Sequence, residues 1–361
     1  HNHNHNHTHQ AVSLHRTINM ASIRFALIAL CLIDLSGLVG ASPDEGVASI
    51  WRDFKQQYNK QYGPEEDLFR YKLFKERLNM IELHNIGKSS FKMGINQMTD
   101  WSEQELDGLT PRVPLDRLGL VETGDCMDRM RKMGFENFDG AAPAYYDARQ
   151  TANTIGPIHH QGKCGSCYAF ATTGLLEGQQ VIRNITNHLI PLSQQQLVDC
   201  DLSAGCSGYS VDYALDDIKR KGGIQSSDDY PYNGSLIRER CRFNESAVVM
   251  NVEKHRNMKE CSNDDLRQIL VNYGPVAVGA TIAKKSWFNY NGTGILPSEI
   301  NGETAGHAFL IIGYGTDQKT NESYWLIKNS WGKSWGDAGF ARIASKGFNP
   351  RSLTVAMVKR P

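Results

Sequence analysis

Gln161-Gly162-Lys163-Cys164-Gly165-Ser166-Cys167-Tyr168-Ala169-Phe170 is the stretch on which the fold of this 361-residue chain turns. A free thiol is a modest nucleophile at neutral pH, because only the thiolate attacks and little of it is present. Cys167 directly follows Ser166, a residue type that caps helices. A thiolate at a helix N-terminus gains from the helix dipole and from backbone N–H groups that have no helical partner. A nearby histidinium would lower the thiol pKa further. The stretch therefore predicts a reactive thiolate at the head of a helix. On these residues alone, Cys164-x-x-Cys167 could also be a redox pair, half a zinc site or a pair of structural cysteines. Zinc would need a second ligand pair at suitable spacing, and none is evident. A redox pair belongs in a βαβ setting, which the flanking pattern lacks.

A cysteine nucleophile needs a histidine that is distant in sequence and close in space. Of the 12 histidines, those up to His15 lie in a leader and His84 in a front segment, leaving His159, His160, His188, His255 and His307. His307 opens the apolar run Gly306-His-Ala-Phe-Leu-Ile-Ile-Gly-Tyr-Gly315. A strand there would anchor the backbone while the ring faced a cleft, although a lone histidine in such a place is more often structural. His159 and His160 stand beside Gln161 and read as surface residues, with a titrating modulator of the site as the alternative. Further on stands Trp325-Leu-Ile-Lys-Asn329-Ser-Trp331-Gly332. Trp331 by itself reads as a core aromatic.

Taken together, these strings resemble the papain-like cysteine proteases. Cys164-Gly-Ser-Cys-Tyr168 fits the nucleophile signature C-G-[SA]-C-[WY], with tyrosine in the last place. The Gly-Tyr-Gly ending after His307 and the K-N-S-W-G string around Asn329 fit as well. The resemblance implies Cys167 as nucleophile, His307 as its proton partner and Asn329 as the group that orients the imidazole. It implies Gln161 as an oxyanion donor with the Cys167 N–H, each such donor being worth ~2.7–4 kcal/mol of transition-state stabilisation. It makes Trp331 the shield over the His307–Asn329 hydrogen bond.

The front segment extends the likeness. Glu66, Arg70, Phe74, Ile81 and Asn85 fit the prosegment pattern E-x3-R-x3-F-x2-N-x3-I-x3-N, with Arg77 where asparagine is usual. Gly94 to Asp100 resembles G-x-N-x-F-x-D, with Met98 for phenylalanine. Both point to the cathepsin L-like branch. They imply a zymogen whose prosegment blocks the cleft and assists folding, and an endopeptidase that works through an acyl-enzyme. Implied partners are peptide or protein substrates, the prosegment as inhibitor, and cystatin-type inhibitors. No cofactor or metal is expected.

The bulk numbers agree with a secreted globular enzyme. Lysine plus arginine equals 39, as does aspartate plus glutamate. That balance gives no reason to expect nucleic acid or an anionic membrane as partner. Residues 1–19, with alternating His and Asn, read as a tag or upstream sequence. Residues 20–41 read as a signal peptide: Arg24, an apolar run, then Val39-Gly40-Ala41. No membrane span is expected after its removal, and the destination is lysosomal or extracellular. Residues 42–140 read as prosegment and linker, and 141–361 as the catalytic domain. Helices are predicted over 44–86, interrupted at Gly63-Pro64, and over 167–184, 193–198 and 211–221. Strands are predicted over 91–98, 248–252, 276–281, 307–314, 323–327 and 339–342, with a polar linker from 110 to 139. Helices first and strands later make the fold class α+β, and the resemblance makes it the two-lobed papain-like fold.

The remaining residues bear on bridges, glycans and specificity. By resemblance, Cys164 pairs with Cys206 and Cys200 with Cys241, while Cys167 stays free. Cys126 and Cys261 are then left, and parity pairs them, as in the mite group 1 allergen branch. Asn184, Asn233, Asn244, Asn291 and Asn321 are N-glycosylation acceptors. Aligning the family strings puts Ser210, Val211, Gly279, Ala305 and Ala308 around the pocket for the P2 side chain, with Leu353 as its floor, and makes Gly208 and Tyr209 substrate-binding residues beside the cleft. None of these is charged, so apolar P2 residues are expected. Tyr209 replaces a glycine of G-C-x-G-G and is expected to crowd the cleft. Two other functions stay open: an inhibitory or binding protein on a protease fold, and a disulfide oxidoreductase using Cys164 and Cys167.

Overall fold

The computed structural model describes residues 43–111, 121–135, 140–150, 154–201 and 204–361. The predicted tag and signal peptide lie outside them. The chain divides into two units, one ending at Lys75 and the other running from Glu76 to Pro361.

The first unit is helical. Helix α1 spans Pro43–Gln57 and α2 spans Pro64–Ile86, the unit boundary falling within α2. Val47, Ile50, Trp51 and Phe54 recur at three- and four-residue spacing and are buried. Pro64 opens α2 with Glu65, Glu66 and Asp67 in its first turn. There the missing proline N–H is not needed and the acids meet the positive helix end. Trp51 packs on Phe54 and Phe74 at ring distances of 5.4 and 5.2 Å. Lys55 reaches Asp67 at 2.6 Å, and Arg70 donates to Glu66 at 3.3 Å.

The second unit begins with pieces of the front segment. Strand β1 is Phe91–Met93, shorter than the predicted 91–98 because the chain turns at Asn96, whose side chain and backbone bond to Met98 and Thr99. Helix α3 is Glu103–Leu109, with a capping box between Ser102 and Glu105. Helix α4, Cys126–Lys132, stands inside the predicted linker. Its buried face is Cys126, Arg129 and Met130. That is helical spacing with an arginine in the apolar stripe, which hid the period. Around α4, Glu122 accepts from Lys259 N–H and donates its own N–H to Asn257 O. Cys126 is bonded to Cys261, and Met130 and Met133 are buried.

Five further helices and nine strands follow: β2 Tyr146–Asp147, α5 Cys167–Ile182, α6 Gln194–Cys200, α7 Val211–Lys221, β3 Ile224–Gln225, β4 Val248–Met258, α8 Asn263–Asn272, β5 Val276–Ala283, α9 Lys284–Phe288, β6 Tyr290–Gly294, β7 Thr304–Thr316, β8 Ser323–Lys328, β9 Phe340–Ala344 and β10 Ser352–Lys359. Eight strands form one sheet in the order β3-β4-β10-β5-β7-β8-β9, with β2 beside β7, and β1 pairs with β6. The unit is thus α+β, with most helices before most strands. Helix α5 is the central strut, packed on β7, β5 and β10. At Gly174 a Cβ would collide with Leu310 of β7, so glycine permits the close approach of helix and sheet. Cys164–Cys206 and Cys200–Cys241 are bonded as the resemblance implied.

Candidate active site

Cys167 is the first residue of α5 and is free and buried. Ser166 occupies the N-cap position but makes no capping bond. Its hydroxyl lies 2.8 Å from the Tyr232 hydroxyl instead. This corrects the expected cap and leaves the first N–H groups of α5 available. Burial pushes the Cys167 thiol up to about 11, against the pull of N–H groups of Ala308, Tyr168 and Cys167 itself. The Ala308 contact brings the head of α5 against β7 at the residue next to His307. Because Cys164 is bonded to Cys206, the pair Cys164/Cys167 is not a redox couple.

His307 lies in β7 opposite Ala280 of β5. Its Nε2 donates to Asn329 Oδ1 at 2.7 Å, and the same oxygen accepts from Ser330 N–H at 2.8 Å. An amide oxygen can only accept, so Nε2 carries the proton and Nδ1 keeps its lone pair. Nδ1 has no hydrogen-bond partner. Trp331, fully buried, covers the ring at 4.5 Å, and Trp287 meets it edge-on at 6.1 Å. In this dry wrapping the imidazole is pushed down to about 4.

Gln161 is fully buried and bonded at every polar atom. Its N–H donates to Ser330 O at 2.9 Å, and its carbonyl accepts from Tyr232 at 2.7 Å. Its Oε1 accepts from Ser330 Oγ at 2.7 Å, which turns the amide N–H₂ toward Cys164 O at 2.8 Å and Leu109 O at 3.0 Å. Leu109 ends α3, so a backbone carbonyl of the front segment sits on this donor. Two residues on, Pro111 lies against Gly165, where a Cβ would collide with it and with Cys206 O. That is a physical reason for glycine between the two cysteines.

Further contacts hold the front segment over the site. Glu105 accepts from Lys163 at 2.5 Å, and Lys284 at the head of α9 pairs with Asp107. Asn96 donates to Phe288 O at 2.7 Å, and Gln97 donates to Trp331 O. Asn85 exchanges hydrogen bonds with the backbone of Met93 at 2.8 and 2.9 Å. Arg77, at the departure from the prosegment pattern, donates to Trp101 O and Glu103, both at 3.2 Å. Met98 fills the place of the usual phenylalanine and is buried.

The residues aligned to the P2 pocket are only partly brought together. Gly279 of β5 faces both Ala308 and Ser352 across the ladders, and directly opposed residues share a face of the sheet. Leu353 opposes Val278 and Met258, so its side chain lies on the other face. Leu353, the expected floor, thus faces away from Gly279 and Ala308, and Ser352 stands beside Gly279 on their face. Ala305 opposes Ile282 and alternates with Ala308. Val211 is buried at the start of α7, and Ser210 caps that helix, accepting from Asp212 N–H at 3.2 Å. Gly208 has φ +81°, a left-handed conformation that suits glycine. Tyr209 packs on Tyr168 and Tyr213 at 5.6 and 5.7 Å. Those contacts set its ring between Tyr168 of α5 and Tyr213 of α7. Asn184, Asn233, Asn244 and Asn321 are exposed. Asn291 is half-buried and donates to Met93 O at 3.3 Å.

The sequence did not single out Tyr232, which ties Gln161 to Ser166, or Trp287. Ser330 stood inside K-N-S-W-G, but nothing there revealed its bond to Gln161. Chemically, the site offers a thiol at a helix head, an imidazole with one lone pair free and one N–H fixed, and an oriented amide donor.

The comparisons with known proteins agree. Residues 142–357 match the papain family cysteine protease domain, and residues 51–106 match the cathepsin propeptide inhibitor domain. Cathepsin L of Sarcophaga peregrina is 31% identical over 355 residues, 93% of this chain and 98% of that protein. Cathepsin J of Mus musculus is 31% identical over 327 residues, 88% and 92% of the two chains. The structure of digestive procathepsin L2 from the larval midgut of Tenebrio molitor superposes with a TM-score of 0.75 at 31% identity, covering 86% of this chain and 99% of that one. This chain belongs to the papain family of cysteine proteases, cathepsin L-like and made with an inhibitory prosegment.

Proposed function

We propose that the chain is a cysteine endopeptidase zymogen in which Cys167 attacks, His307 moves the proton, Asn329 orients it and Gln161 steadies the oxyanion. The observation that carries this is the 2.7 Å bond from His307 Nε2 to Asn329, which leaves Nδ1 as the base. Nδ1 takes the thiol proton, and the thiolate adds to the scissile carbonyl. The developing oxyanion needs the Gln161 amide and the Cys167 N–H. As the C–N bond breaks, the imidazolium gives its proton to the leaving amine, and a thioester remains. Water then adds with His307 as base and releases the acid and the thiol. Cys167→Ala is expected to abolish hydrolysis while the protein stays folded. Asn329→Ala is expected to be milder, because orientation is degraded while the acid–base pair survives. Turnover by Cys167→Ala, or failure of an epoxide inhibitor to label Cys167 after acid treatment, refutes the assignment.

The residues aligned to the P2 pocket, and Ser352 beside Gly279, carry no charge, which supports leucine, valine or phenylalanine at P2. Burying an apolar side chain there gains ~25 cal/mol per Å², while an unpaired buried cation is costly. The reading of residues 20–41 as a signal peptide supports a lysosomal or extracellular route, and cystatin-type inhibitors would compete for the same cleft. The packing of 121–135 supports a mature chain that keeps this segment, with cleavage upstream of Val121 rather than near Ala141. N-terminal sequencing after acid activation decides it, and a mature chain beginning after Phe135 refutes it.

A further inference from the structure

Between α5 and strands β7 and β8 lies a cavity of about 10 Å³ lined by His159, Glu177, Lys328 and Asn329 among others. That is room for a single water. Three buried atoms of its lining have no hydrogen-bond partner: His159 Nε2, Glu177 Oε2 and Asn329 Nδ2. A fourth group is strained for contact. Lys328, nearly buried, reaches Glu177 Oε2 only at 3.9 Å, beyond hydrogen-bond distance. The other Glu177 oxygen is already taken, accepting from Leu192 N–H at 3.1 Å. Buried polar groups are rarely left unpaired, since each orphan costs about 1–3 kcal/mol.

We infer that one water, shared by His159, Glu177 and Lys328, holds the amide of Asn329 in its working orientation. The donor–acceptor inventory fits water and disfavours ions. The water donates to Glu177 Oε2 and His159 Nε2 and accepts from Asn329 Nδ2 and Lys328 Nζ. An anion would face the Glu177 carboxylate, and a cation would face the Lys328 ammonium. The water also bridges the long ion pair, a common way to satisfy charges across such a gap.

The consequence for chemistry lies in the amide. This inference rests on Asn329 orienting His307, as proposed above. If the Asn329 amide flipped, its N–H₂ would face His307 Nε2. The imidazole would then have to move its proton to Nδ1, and the base would be lost. Ser330 N–H holds Oδ1 on one side, and the water holds Nδ2 on the other. His159, Glu177 and Lys328 are therefore positioning residues, acting through the water on Asn329 and through Asn329 on His307.

Two measurements test this on the full chain. The first is a high-resolution crystal structure of the Cys167→Ala precursor, expected to show one ordered water bonded to all four groups. An empty cavity, or an occupant that misses Asn329 Nδ2, overturns the inference whatever the enzyme's activity. The second is steady-state kinetics of the processed His159→Leu and His159→Gln enzymes. Losing one partner of the water is expected to lower kcat about 5-fold with KM unchanged. Gln, whose amide oxygen can accept in place of Nε2, is expected to restore most of it. Wild-type kcat in His159→Leu overturns the positioning role. If His159→Leu does not fold, His159→Gln and the crystal structure decide. If Cys167 proves not to be the nucleophile, the crystallographic result still stands or falls alone.

Discussion

Cys167 should be almost inert in the precursor and should become reactive only when the prosegment leaves. With its thiol near 11 and the His307 imidazole near 4, both groups are neutral at pH 7.5. Alkylation requires the thiolate. A thiol of pKa about 11 is ionised in roughly one molecule in 3,000 at pH 7.5, whereas a free cysteine of pKa about 8.5 is ionised in about one in ten. Ionisation alone thus slows the precursor about 300-fold, and steric cover adds to this because Cys167 is only 7% exposed. The assay is iodoacetamide in excess, followed by peptide mass mapping of Cys167, on the precursor and on acid-processed enzyme. The precursor rate should climb about tenfold per pH unit between 6 and 9, the signature of a protonated thiol. The processed enzyme should react at least a hundredfold faster at pH 7.5 and depend little on pH between 5 and 8, because a solvated imidazolium can then accompany the thiolate. A precursor alkylated within tenfold of the processed rate at pH 7.5 would refute the reasoning.

Other outcomes follow from the same contacts. Reversing Lys163 and Lys284 together, each to Glu, should move the onset of processing to higher pH. Exposed pairs are worth up to about 1 kcal/mol each, so single changes should shift it little, and an unmoved onset in the double variant would argue against the clamp. Asp217 is pushed up to about 7 by burial and by its hydrogen bond and repulsion with Asp201, partly offset by Arg220. Its raised folded-state pKa makes its stabilisation full below about pH 4 and lost as pH rises toward 7. The Tm of the wild type should therefore fall between pH 4 and 7.5 more steeply than that of Asp217→Asn, and equal slopes would contradict this. Ser352→Asp should raise cleavage of peptides that carry Arg or Lys at P2 in a P2-varied peptide library. An unchanged profile would move the pocket elsewhere.

Chemistry was easier to read than packing. Cys167, His307 and Asn329 announce themselves because their neighbours are constrained too: Gly165 by the approach of Pro111 and Cys206, and Ser330 by its bond to Gln161. Helix α7 was predicted over its observed span, Val211–Lys221, because its apolar face recurs and Gly222 stops it. Helix α4 was missed because Arg129 sits in its buried face, made acceptable by donating to Glu122 O at 2.6 Å. Strand side chains alternate, so Leu353 and Ser352 lie on opposite faces of β10, and a sequence alignment loose by one residue cannot choose between them. The contacts of Tyr209 depend on Tyr168 and Tyr213, on two different helices, and no local pattern encodes them.

Latency and catalysis meet on the same atoms. Gln161 Nε2, the proposed oxyanion donor, is spent on Leu109 O while α3 stays docked. Shape-reading contacts made by neutral groups, such as Asn96 to Phe288 O and Gln161 to Leu109 O, carry no charge and are indifferent to salt. Charged pairs bind α3 as well: Glu105 to Lys163 and Asp107 to Lys284 hold it on the catalytic domain, while Glu103 to Arg77 holds it to α2 within the prosegment. Salt screens such exposed pairs. The two that cross to the catalytic domain therefore put the salt-sensitive part of the docking on the element whose last carbonyl plugs the oxyanion donor.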